Sequence, residues 1–162
     1  MKSPPRYDFL NHFLSFGIDH IWRRRVVSEI RKRFREQLSS LQILDMATGT
    51  GDLAIAVARL HPAHIDGVDI SKSMMEVGKR KILSKGLGNV ISFHEGEAEK
   101  IPFEENSFDI VMVAFGVRNF EELKSGLQEM KRVMTPGGLM LILEFSHPAG
   151  FPMKQLYSFY SK

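Results

Sequence analysis

The stretch ILDMATGTGDLAIAVA, residues 43–58, joins two apolar runs through an acid and a loop of small residues. QILDMA reads as a buried strand, and GDLAIAVARL as a short helix entered directly from the glycines. Strand, glycine turn and helix in that order open an α/β sheet whose ligands sit at the carboxyl ends of its strands. Small residues from Ala47 through Gly49, Thr50 and Gly51 let the backbone approach a ligand closely, and the helix start offers unpaired N–H groups to an anion. Taken literally, Gly49-Thr50-Gly51-Asp52-Leu53-Ala54 satisfies the dinucleotide fingerprint G-x-G-x-x-[GA]. Asp45 argues the other way. A carboxylate at the end of the first strand repels phosphates, whereas it suits a ligand ammonium, directly or through water.

Outward from this unit the same alternation continues. HIDGVDI reads as a second strand, and Ser71 can cap the helix KSMMEVGKRKILSKG, which Gly86 and Gly88 end. VISFHEGEA is a third strand, closed by Glu97 and Ala98, and FDIVMVAFGV is a fourth, apolar enough to lie centrally. EELKSGLQEMKRVM carries Leu123, Leu127, Met130, Val133 and Met134 on one helical face. Pro136-Gly137-Gly138 stops that helix before a fifth strand, LMLILEFS. Upstream, Ile21, Trp22, Val26, Ile30, Phe34, Leu38 and Leu41 recur at helical spacing over residues 19–41, with arginines opposite. The expected organisation is a single domain over 1–162: a helical cap over 1–40, a ligand-binding core over 41–150 and a tail over 151–162. The core is a mostly parallel sheet of about five strands with helices on both faces.

Three strand ends carry candidate ligand groups. Asp45 suits an ammonium. Asp69, at the end of the second strand, can accept two vicinal ribose hydroxyls, with a helix-capping role as the alternative. Glu97 offers an acceptor for an exocyclic adenine amine, and a backbone N–H near Ala98 suits a ring nitrogen. Carboxylate, ribose and adenine contacts in that order match S-adenosylmethionine.

Together ILDMATGTGDLA, GVDIS and TPGGLMLILE resemble the motifs of class I S-adenosylmethionine-dependent methyltransferases, which have a Rossmann-like fold. More narrowly, YDFLN, SFGIDHIWRR, EAEKIPFEENSFD, FGVRN, VMTPGG, LEFSHP and LYSFYS resemble the ubiquinone/menaquinone biosynthesis C-methyltransferase family, from Tyr7 to Ser161. The resemblance implies cofactor contacts at Thr50, Asp69, Glu97 and Ala98, with Ala47, Gly49, Gly51 and Ile70 in the surrounding cradle. Position 97 departs from the asparagine or aspartate usual there. Members of that family typically continue with further strands after the segment resembling LYSFYS.

A carbon acceptor on a quinol ring becomes nucleophilic on losing a phenolic proton. His147, Asp8 and His20 are candidate bases, none of them assignable. Arg118 and Asn119 follow the fourth strand, where a guanidinium can stabilise a developing phenolate. Alternatively, Asn119 caps the next helix and Arg118 is solvated. Tyr7, Phe16 and Trp22 can wall an apolar pocket or simply pack the cap.

Hydrophobic content of 43% and charged content of 25% are those of a soluble globular chain. No apolar run is long enough to span a bilayer and no signal-peptide core is present, so a cytoplasmic location is expected. Cysteine is absent, which excludes thiolate chemistry and disulfides, and His61 and His64 make no metal site. The net charge of +3 concentrates in WRRRVVSEIRKRFRE. No nucleic-acid signature accompanies it, but the stripe can meet an anionic membrane. An apolar fifth strand at a sheet edge invites pairing, so a homodimer through that edge and the tail is expected. The expected function is C-methylation of a quinone precursor or related aromatic. Methylation of another small acceptor, cofactor binding without turnover, and NAD-dependent redox chemistry are the alternatives.

Overall fold

The computed structural model describes residues 20–144. Five parallel strands form one sheet: β1 (Gln42–Met46), β2 (His64–Asp69), β3 (Ile91–Glu95), β4 (Phe108–Ala114) and β5 (Met134–Leu143). Their spatial order is β3-β2-β1-β4-β5. After β1 the chain builds outward through β2 and β3, then crosses back to place β4 on the other side of β1. The gap between the β1 and β4 ends is therefore the topological switch point, where such sheets bind ligands.

Alternation of side chains sorts the core into two layers. Ile43, Ile65, Ile91, Ile110 and Met112 face one side, under α1 (residues 20–33), α2 (Asp52–Val57) and α3 (Lys72–Ser84). Leu44, Met46, Val68, Val111 and Val113 face the other, under α4 (Leu123–Val133). Helices thus cover both faces, as the uniformly apolar strands demand.

Some boundaries differ from the sequence expectation. The first helix ends at residue 33, and a turn and a short 3₁₀ segment, Leu38–Ser40, bring the chain into β1. Ser39 and Ser40 are poor helix formers at the point where the chain must reverse. β3 ends at Glu95, so Glu97 and Ala98 lie beyond it; Glu97 makes only an isolated bridge to Lys100. β5 begins at Met134, before the Pro-Gly-Gly stretch. A register shift between Phe108 and Ile110 of β4 accommodates this, and an edge strand tolerates Pro136. Leu123 is 49% exposed, so the buried face of α4 rests on Met130 and Val133.

Candidate functional site

Two loops meet at the switch point. Ala47, just after β1, and Phe115, just after β4, both hold positive φ angles, 54° and 57°, which side chains rarely adopt. A Cβ placed on Gly116 would lie 2.5 Å from that of Ala47, so only glycine permits this approach. Gly49 and Gly51 are left-handed as well, at 56° and 76°. Their loop is carried on a single ring: Cβ atoms built on Gly51 and Gly67 would each fall 2.6 Å from Phe93.

Asp45 closes β1 with only 1% of its surface exposed. Thr48 donates its hydroxyl to Oδ2 of Asp45 at 2.7 Å. Burial pushes the Asp45 carboxyl up to about 7, against the bonds from the Thr48 hydroxyl and the Ala54 N–H; the charges of Asp69 and Asp52 push the same way as burial. Sequence reasoning singled out Asp45 but missed Thr48, whose D-x-x-T spacing was the available signal.

Asp69 is also buried, and its carboxylate is already engaged. Oδ2 accepts the N–H of Gly49 at 2.7 Å, and Oδ1 accepts the N–H of Ser71 at 2.8 Å. It therefore fastens the glycine loop of β1 to the turn after β2. Each oxygen keeps a second lone pair for a ligand hydroxyl. Ser71 caps α3, accepting the Met74 N–H. Ile70 presents an apolar surface that is 68% exposed, and Met74 reaches over Gly49.

The Thr50 side chain is engaged within the protein. Its hydroxyl donates to Asp52 at 2.9 Å and accepts Lys81 Nζ at 2.9 Å. Lys81 also bonds Asp52 at 3.0 Å, and Arg23 of α1 lies 4.0 Å from the same carboxylate. Half-burial raises the Asp52 carboxyl, but Lys81, Thr50 and Arg23 outweigh it and hold it below the usual range. This network ties α1, α2 and α3 together beneath the loop.

Glu97 is exposed and Ala98 buried against α4. The segment carrying them is held by α4: Glu129 accepts the Ile101 N–H, and Arg132 donates to the carbonyls of Ile101 and Phe103. Beyond β4, Arg118 and Asn119 lie in a 3₁₀ turn, Val117–Asn119. Asn119 does not cap α4; that position belongs to Glu122. Arg118 pairs with Glu144, at the end of β5, at 3.3 Å. Trp22 lines a shallow apolar groove with Leu141, Ile142 and Leu143, and Arg25 lies 4.7 Å over its ring. His147, Asp8, Tyr7 and Phe16 fall outside the described residues.

The structure thus gathers Asp45, Ala47, Gly49, Gly51 and Asp69 around one loop, with Ile70 at its rim. This donor set fits a ligand combining a cation with a ribose. A buried acid on β1 directly before the loop, Asp45, is the wrong lining for a pyrophosphate.

The fold is Rossmann-like, of the class I methyltransferase type. A putative S-adenosyl-L-methionine-dependent methyltransferase from Methanococcus maripaludis superposes with a TM-score of 0.73 at 21% identity, covering 99% of this chain and 74% of that one. The model of the ubiE/COQ5 methyltransferase family matches residues 2–162, and the chain belongs to that family. Among its relatives are a demethylmenaquinone methyltransferase of Bacteroides fragilis, 50% identical over 98% of this chain and 63% of that protein. A ubiquinone/menaquinone biosynthesis C-methyltransferase of Geotalea daltonii is 45% identical over 96% of this chain and 65% of its own length. The chain spans a little under two thirds of these relatives.

Proposed function

We propose that the protein binds S-adenosylmethionine at the β1–β2 strand ends and methylates a ring carbon of a demethylmenaquinol-like acceptor. The observation that carries the cofactor half is the pair of buried acids, Asp45 and Asp69, at adjacent strand ends around a left-handed loop. Asp69 would take the ribose hydroxyls and Asp45 the ammonium, with Ile70 against the base and Glu97 and Ala98 at its polar edge. The bound cofactor supplies an electrophilic methyl group with a neutral thioether leaving group. The chain itself contributes position and exclusion of water. Arg118, on the loop after β4, would stabilise the phenolate form of the acceptor. The acceptor class rests on family membership and on the names of the relatives.

The test is incubation of the protein with methyl-deuterated S-adenosylmethionine and a short-chain demethylmenaquinol. A mass increase of one labelled methyl on the ring supports the reading. Cofactor binding with no transfer to any quinol would leave a binding protein, and transfer to another compound class would replace the acceptor.

The outer face of α1 exposes Arg24, Arg25, Arg31, Lys32 and Arg33, and the turn after it exposes Arg35. We infer from it a cytoplasmic protein that rests on anionic membrane, where an apolar quinol would be met. Among the described residues no helix is long and apolar enough to cross a bilayer. Retention on anionic but not neutral liposomes supports this, and equal retention on both removes it. β5 forms one edge of the described sheet, with Ile142 47% exposed. Pairing of that edge with a second copy is the dimer reading, and a monomer by light scattering at micromolar concentration rejects it.

A further inference from the structure

Among the described residues, no positive charge answers Asp45. In the sheet it lies between Gly67 of β2 and Met112 of β4. Its hydrogen-bond donors, the Thr48 hydroxyl and the Ala54 N–H, are both neutral. The charged groups that act on it are Asp69 from the end of β2 and Asp52 from α2, both acids. Lys81 of α3 and Arg23 of α1 reach this corner, but both are directed to Asp52. β4 presents only the apolar Met112. A carboxylate in such a pocket is unfavourable until a cation arrives.

We propose that Asp45 is a proton-exchanging acid of the loop, neutral in part without ligand and ionised with it, so that uptake of the cationic cofactor releases a proton. This rests on the cofactor reading above. It adds that affinity rises with pH through neutrality and that the loop senses ligand charge. The carboxyl's displacement to about 7 sets the range in which the exchange is visible. At pH 7 about half a proton should leave per ligand bound, falling toward none at pH 9.

Calorimetric titration of the full chain with S-adenosylmethionine in phosphate and in Tris, buffers of different ionisation enthalpy, reads that proton directly. The expected result is a buffer-dependent heat at pH 7 that disappears in Asp45→Asn. Binding with the same heat in both buffers overturns the proposal while leaving the cofactor reading intact. Proton release that persists in Asp45→Asn also overturns it, assigning the proton elsewhere. Absence of binding removes the cofactor reading and the proposal with it. Should Asp45→Asn fail to fold, carboxyl carbon-13 titration of the unaltered protein decides. A ligand-free midpoint near 7 that falls on adding S-adenosylmethionine supports the proposal, whereas a midpoint near 4 in both states overturns it.

Discussion

The strand ends on the two sides of the switch point are built differently. Around β1 and β2 the polar groups are buried and interlocked: Asp45 holds Thr48, and Asp69 holds Gly49 and Ser71. Around β4 and β5 the polar groups are more exposed; Arg118 is 45% and Glu144 27% exposed, and they pair with each other across the loop. The first side spends folding energy to fix a donor set before any ligand arrives. The second fixes a backbone turn, at Phe115 and Gly116, and keeps its charged pair partly exposed. Under the proposed function, the rigid side would serve a cofactor common to a wide class, and the adjustable side an acceptor that varies among enzymes.

The largest expected effect tests whether the first side is strained. Asp45 ionises near 3.8 in the unfolded chain and near 7 in the fold. Between those values the folded protein binds the extra proton, so stability falls as pH rises from about 4 to about 7 and then levels off. The difference amounts to roughly 4 kcal/mol. Asp45→Asn escapes that cost but loses one acceptor contact, about 1 kcal/mol. Denaturant unfolding should therefore show the variant more stable by roughly 2–3 kcal/mol at pH 8 and slightly less stable at pH 4. A variant equally destabilised at both pH values would show that burying the acid stores no strain.

Next comes the ring on which the loop rests. Gly78→Ala would ordinarily favour a helix by about 1 kcal/mol. Here the added methyl falls on Cε2 of Phe93 and 2.9 Å from the Thr50 carbonyl oxygen. The expected net loss is about 1–3 kcal/mol, with part of it recovered in Gly78→Ala/Phe93→Leu. Thermal unfolding of the two variants checks this, and a stabilised single variant would mean that α3 packs more loosely than the close approach requires.

Asp69→Ala should weaken S-adenosylmethionine ten- to hundredfold, about 1.5–3 kcal/mol. Two backbone N–H groups also lose their acceptor, so a stability loss of about 1–3 kcal/mol accompanies it. Asp69→Asn, which keeps one acceptor, should lie between. Unchanged affinity in a folded Asp69→Ala would remove the ribose contact.

What could be read beforehand follows the same division. Strand–helix alternation and the acids Asp45 and Asp69 were legible, because buried strands are uniformly apolar and an acid ending one stands out. The double role of Asp69 was not, since it depends on a loop folding back across 20 residues. The start of β5 was hidden by Pro136-Gly137-Gly138, which reads as a turn unless the bulge these residues make in β5 opposite Phe108 and Ile110 is known. Thr50 was placed by resemblance, and only the position of Lys81 on α3 reveals where its hydroxyl goes. The end of β3 at Glu95 was set by tertiary context that no local pattern records.

The smallest effect on stability belongs to Arg118, and there the contrast between the two sides is sharpest. Its pair with Glu144 is an exposed one at 3.3 Å, worth no more than about 0.5 kcal/mol. Through that pair Arg118→Ala should therefore lose only about that much stability, and it should bind S-adenosylmethionine within about twofold. If its guanidinium stabilises the phenolate acceptor, turnover with a demethylmenaquinol should fall about ten- to a thousandfold, with Arg118→Lys recovering part of it. The split matters more than the size. A loss of turnover at constant cofactor affinity means that the β4–β5 loop acts on the acceptor alone. An equal loss in both would mean that Gly116, pressed against Ala47, carries the change into the cofactor loop, and that the two sides work as one site.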